Sequence, residues 1–313
     1  MVDDKGHQAS RPLEIPKSGW KEVLLRVKDQ LDKDNIGIIA AGVAFYFFLA
    51  IFPLLGAFVS IYGLAMDPAQ VEQQMDDLTS VLPEQAHVML NEILQNIVQS
   101  SDSTLGWALV FGLLLSLWSA NAGMKSLFEG INIAYGEENK RGFIAQNAIT
   151  LLFTLGAIII GIISITLVAA FPAFVDNLGL PEVVKTILGL GRWLLLGAII
   201  MFSLALIYQY APFREDAKFR WVSWGAIIAT VLWIAASLLF SFYVNNFGNY
   251  NETYGSVAAV VILMLWLNLT FFIILLGAEI NSELEHQTAR DTTKGAEKPM
   301  GERGAYHPDH VAE

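Results

Sequence analysis

The chain has 313 residues, 54% of them hydrophobic and only 16% charged, with a mean hydropathy of +0.49. A soluble domain carries about 25% charged residues, so this balance excludes an ordinary soluble globule. The formal net charge of −11 argues against nucleic acid as the main partner, because phosphate contacts need basic patches, and the lack of cysteine excludes disulfides, thiolate metal sites and cysteine nucleophiles.

In chain order, residues 1–17 are polar and lack the apolar stretch of a cleaved signal peptide, and disorder is expected there. Residues 18–35 read as an amphipathic helix, with Trp20, Val23, Leu24, Val27 and Leu31 on one face and Lys21, Arg26, Lys28 and Lys33 supplying cations. Such a helix suits the surface of an anionic leaflet. Packing against neighbouring loops is the alternative.

Residues 36–285 form the membrane domain. Six apolar runs fall at Ile36–Leu64, Leu105–Lys125, Phe143–Ala170, Thr186–Tyr210, Val222–Asn245 and Tyr254–Ile280. Each reaches the roughly 20 residues that cross a hydrocarbon layer about 30 Å thick. None alternates as a barrel strand would, and unpaired backbone cannot face lipid, so the expected class is an all-α integral membrane protein with six transmembrane helices.

The first run carries Pro53, which removes a helix hydrogen bond and predicts a kink near Leu49–Ala50. The loop at 65–104 holds no Lys or Arg and contains the stretch PEQAHVMLNEILQNIVQ, whose apolar residues recur at helical spacing. A helical cap outside the membrane is expected, and it is the surface on which an envelope protein partner would dock. Beyond it, Asn121, Lys125, Glu129 and Asn132 share one face of the second helix, with Lys125 and Glu129 placed to pair. That face is either a solvated extension or the polar wall of a cavity. Asn268 lies deep in the sixth run and Glu279 near its end, where a carboxylate needs a partner such as Lys125 or Arg141. The tail, 286–313, is polar and rich in Gly and charge, and is expected to be disordered.

Of the 19 Lys and Arg residues, only Lys185 and Arg192 fall on the side of the 65–104 loop. The positive-inside rule therefore places both termini in the cytoplasm and the 65–104 loop outside. The five histidines lie outside the apolar runs, and no motif or His–carboxylate spacing marks a catalytic or metal site. Neither catalysis nor a cofactor is expected. Membrane lipids are the expected partners, and homo-oligomerisation is left open.

The stretches AGVAFYFFLAIFPLL (41–55), INIAYGEENKRGF (131–143), YQYAP (208–212), WGAIIATVLW (224–233) and YGSVAAVVILMLWLNLTFFIILLGAEIN (254–281) together resemble the YihY/virulence factor BrkB family of bacterial inner-membrane proteins. Gly142 and Asn268 depart from the family's usual Pro and aromatic residue. The resemblance implies a six-helix protein of the bacterial inner membrane, once labelled ribonuclease BN and connected with envelope lipid export. It supports a lipid or amphiphile transporter, with Asn121, Lys125, Glu129, Asn132, Arg141, Asn268 and Glu279 as candidate substrate contacts and Pro53 as the hinge. A scaffold for envelope proteins is the alternative, and a ribonuclease the least supported reading.

Single cysteines at Ser80 and Ser101 should react with an impermeant thiol reagent applied outside the cell, while Lys140→Cys should react only after the membrane is opened. External labelling at Lys140→Cys would reverse the orientation.

Overall fold

The computed structural model of the chain describes residues 5–65, 102–247 and 258–312. A 3-10 turn at Pro12–Glu14 leads into α1 (Lys17–Lys33). Six long helices follow: α2 (Ile36–Ala65), α3 (Asp102–Ala134), α4 (Phe143–Ile165), α6 (Glu182–Tyr210), α7 (Phe219–Phe247) and α8 (Ala258–His286). α4 passes through a π-helical turn at Thr166–Ala170 into the short α5 (Phe171–Asn177), where Pro172 withdraws a backbone donor. A last turn, α9 (Tyr306–Asp309), lies in the tail.

Six helices are long and apolar enough to cross a membrane, and no strand occurs among the described residues. The expected all-α membrane architecture therefore holds. Of the cap expected at 65–104, residues 66–101 lie outside the described residues. α2 continues as helix through Pro53. The second span continues to Ala134 and the sixth to His286, beyond the limits expected at Lys125 and Ile280, because the polar residues that follow each apolar run stay helical.

α8 is the organising element, touching α1, α2, α3 and α7, while α2 lies along α3. Ile36, Ala40, Val43 and Ala44 of α2 meet Leu127, Phe128 and Ile131 of α3 and Leu275 and Ala278 of α8. Lipid tails are as apolar as leucine, so close packing and hydrogen bonds must hold these helices together. The α7–α8 crossing shows how. A Cβ on Gly225 would strike the Gly277 carbonyl, and one on Gly277 would strike the Tyr208 hydroxyl. The backbones approach closely enough for Asn281 to accept from Gly225 N at 2.7 Å and donate to Val222 O at 3.0 Å, while Tyr208 donates to Ile274 O at 2.7 Å. Leu152, Ile159, Leu194, Leu238 and Leu239 remain exposed on the outer faces of α4, α6 and α7, as residues facing hydrocarbon should.

Both termini gather at one end of the bundle, hereafter the terminal end, where Ala289 N donates to His7 O at 2.8 Å. The loops 135–142 and 211–218 lie at the same end, tied to the tail by Tyr306 N donating to Glu137 at 2.7 Å and Lys294 N to Asp216 O at 2.7 Å. The basic segments that set the expected orientation thus share one side of the molecule.

Three expectations are corrected here. The tail is not disordered: Thr288, Thr292, Thr293, Arg303 and His307 are buried, and Arg303 donates to the carbonyls of Pro308 and Ala289 at 2.6 and 2.8 Å. Its polar composition finds partners on the terminal end that composition alone does not reveal. Residues 5–16 are ordered by the same contact, with Ala9 O accepting from Thr288 at 2.7 Å. The α1 stripe expected at the leaflet surface turns largely to protein: Val23 and Val27 are buried and Trp20 meets Trp224 edge-on at 5.9 Å, with Leu24 the exception. Leu24 and Leu25 remain exposed beside Lys17 and Lys21.

Removing residues 289–313 should lower the thermal midpoint in detergent and open the 211–218 loop to protease. An unchanged midpoint and digestion pattern would show that the tail contributes nothing to the fold.

Candidate functional site

The last turns of α8 carry Glu279, Asn281, Ser282, Glu283 and Glu285, and Gln287 follows the helix directly, all essentially fully buried. Buried carboxylates are costly unless paired and hydrogen-bonded. Two of the three are matched. Arg214, from the α6–α7 loop, grips Glu285 through two bonds of 3.1 and 2.6 Å, and Thr292 of the tail adds a third at 2.6 Å. The Arg214 guanidinium also lies 4.3 Å from the centre of the Tyr135 ring. Arg26, from α1, donates to Glu283 at 2.5 Å and to Gln287 at 2.6 Å, and Gln287 donates onward to Lys5 O at 2.9 Å.

Glu279 is the exception. Neither of its oxygens receives a hydrogen bond, and the Tyr135 hydroxyl is likewise buried without a partner among the described residues. The carboxyl beside Glu279 is Asp34, on the turn between α1 and α2. The expected partners Lys125 and Arg141 do not reach it, and this expectation is corrected.

The remaining candidate residues divide. Arg141 and Asn132 converge on the end of α6, where helix carbonyls lack intrahelical donors. Arg141 donates to the carbonyls of Tyr210, Ala211 and Pro212 at 3.0, 2.8 and 3.0 Å. Asn132 accepts from Phe213 N at 2.7 Å. Lys125 is half-buried and Glu129 exposed on α3. They form no ion pair with each other, although their spacing permits one. Asn121 is half-buried with its amide oxygen unpartnered. Asn268 lines a cleft of about 280 Å³ between α2 and α8, opposite Ala41 and Ala44.

A larger cleft of about 610 Å³ separates α4 from α6. Phe153, Gly156 and Ile160 line one side and Ser203, Ile207 and Tyr210 the other. It ends at Tyr210, whose carbonyl holds Arg141.

The fold also assembles a group that spacing along the chain does not reveal, correcting the expectation of no His–carboxylate cluster. Glu283, His286 and His307 bring ligand atoms within 4.8 Å of one another. The two imidazoles are stacked, 4.7 Å between centroids and 6° between planes, so their in-plane lone pairs do not converge on one ion. Glu283 is moreover held by Arg26. Burial, then the neighbouring His286, pushes His307 down to about 3, and Ser282 shares a hydrogen bond with its Nδ1. In this arrangement the cluster is a stacked pair of rings fastening the tail to α8.

A six-helix membrane protein with buried ion pairs at one end and apolar clefts between its helices is the class defined by this geometry. The chain belongs to the virulence factor BrkB family, which it matches over residues 27–301. It is 31% identical over 251 residues to the putative ribonuclease-like protein YfkH of Bacillus subtilis, covering 78% of this chain and 88% of that protein. It is 25% identical to a UPF0761 membrane protein of Idiomarina loihiensis, covering 82% and 88%. A UPF0761 membrane protein of Psychromonas ingrahamii is 27% identical, covering 84% and 88%. No solved structure matches the chain. His307 lies beyond the family match.

Replacing Arg214 with Met while Glu285 remains should cost about 3–5 kcal/mol in denaturant unfolding, the usual penalty for stranding a buried charge. The double variant Arg214→Met, Glu285→Leu should recover most of that loss. Equal stability of the single variant and the parent would mean that Glu285 is satisfied without Arg214.

Proposed function

We propose that the protein binds and moves an anionic lipid, with its acyl chain in the α4–α6 cleft. One observation carries this reading: a long apolar cleft, open to the bilayer, ends beside a fixed guanidinium. The cleft accepts hydrocarbon along Phe153, Gly156 and Ile207, and Arg141 provides positive charge at its terminal end. Three of the five Arg141 N–H groups are taken by carbonyls, so it attracts a headgroup mainly as a fixed charge. Exposed Lys140, 3.7 Å from Glu138, adds a second cation next to it in the chain.

Lys125, Glu129 and Asn121 are proposed as polar contacts along α3, and Asn268 as the polar group of the second cleft. An amide at membrane depth is costly and usually faces a cavity or a partner. Pro53 is proposed as the hinge of α2. The terminal end is assigned to the cytoplasm of a bacterial inner membrane, from the concentration of Lys and Arg there.

Protein reconstituted into vesicles containing a fluorescent anionic phospholipid should speed its exchange between leaflets. Gly156→Trp should slow that exchange several-fold at equal protein insertion, since the space beside Gly156 is open and the indole fills it. Inert vesicles across neutral and anionic lipids would refute the proposal. Full activity in Gly156→Trp would refute the cleft.

A further inference from the structure

We infer that Asp34 and Glu279 form a proton-binding site, in which one exchangeable proton is shared between the two carboxyl groups. The assignment stands apart from the lipid reading, because it rests on a different part of the molecule.

As a carboxylate, Glu279 meets no donor: both oxygens are buried and unpartnered. As a carboxylic acid, it can donate to the neighbouring carboxyl of Asp34. A buried group in this position is stable only in its neutral form. Burial pushes the Asp34 carboxyl above the usual carboxylate range, against the hydrogen bond from Glu279 and the charge of Lys33, and Glu283 pushes it further.

The local backbone holds the pair together. Asn35 takes a left-handed conformation (φ 53°), which asparagine tolerates better than most residues, and the chain reverses there from α1 into α2. Asp34 N donates to Gln30 O at 2.8 Å, fixing the end of α1, and Asn35 O accepts from Ile39 N at 3.1 Å, opening α2.

The surrounding charges do not replace the proton. From α1, Arg26 is taken by Glu283 and Gln287, while Lys33 acts on Asp34. From α8, Glu283 repels. From the α6–α7 loop, Arg214 is taken by Glu285. His307 of the tail acts on Glu283, and Tyr135, after α3, offers only a phenol. The facing residues of α2, Ile36 and Ala40, carry no charge.

Asp34 is half-buried where Glu279 is sealed, so Asp34 is the route to water. The Glu279 hydroxyl gives its proton to the Asp34 carboxylate, and Asp34 passes it to solvent. Glu279 is then left as a carboxylate, which must hydrate, so release favours separation of the α1–α2 turn from α8.

Infrared difference spectra of the full-length protein in lipid test this. At neutral pH the parent should show a protonated-carboxyl C=O band that shifts in D2O and bleaches reversibly at alkaline pH. Glu279→Gln should lose the band completely, and Asp34→Asn should keep it at a shifted frequency. Deprotonation at alkaline pH leaves the folded parent with a buried carboxylate that no donor meets. Glu279→Gln, neutral at every pH, should therefore match the parent near pH 5 and exceed its thermal midpoint at alkaline pH. No band in the parent, a band retained in Glu279→Gln, or a band that bleaches only on unfolding would each overturn the assignment.

Discussion

The structure turns on the acidic end of α8. Three carboxylates are buried within seven residues of one helix, Glu279, Glu283 and Glu285. Each demands compensation from outside the helix. Meeting that demand recruits almost every element at the terminal end: α1 supplies Arg26, the α6–α7 loop supplies Arg214, and the tail supplies Thr292. Within the spans, the Gly225–Gly277 approach and the bonds of Asn281 and Tyr208 set the register of α6, α7 and α8. The ion pairs add α1 and the α6–α7 loop to that frame.

The same constraint explains the order of the tail. A segment with few apolar residues does not usually fold, because it buries too little surface to offset its chain entropy. Here it folds onto an existing polar surface. Thr292 bonds to Glu285, Arg303 gathers three carbonyls, and His307 stacks on His286. Hydrogen bonds to groups already buried do the work that a hydrophobic core does elsewhere.

The spans were legible in the sequence because bilayer thickness imposes a length on every apolar run. Their inner limits were less so, since a helix that leaves lipid for protein carries polar residues without ending. Glu279 stood out as a carboxylate at the end of an apolar helix, yet its neighbour was misjudged. Asp34 comes from the start of the chain, and nothing in local spacing joins the two. Arg141 was singled out for its charge, but its contacts are the carbonyls that end α6, which only the path of the chain reveals. Arg26, Arg214, Glu283 and Glu285 were missed as a group. The one available signal was the density of acids in AEINSELEH, too many for a solvated helix end to need.

Stability alone does not account for Glu279. Glu283 and Glu285 each meet an arginine, and a glutamine at 279 would fill the same space with no charge to bury. A protonatable group there instead makes the junction of α1, α2 and α8 sensitive to its own hydration. α2 and α8 also form the walls of the cleft that holds Asn268. Glu279 is carried by α8, which also walls that cleft, and Asp34 sits on the turn that leads into α2, the opposite wall. The carboxyl pair thus lies where the turn ahead of α2 meets the end of α8, a junction at which the α2 residues Ile36 and Ala40 carry no charge.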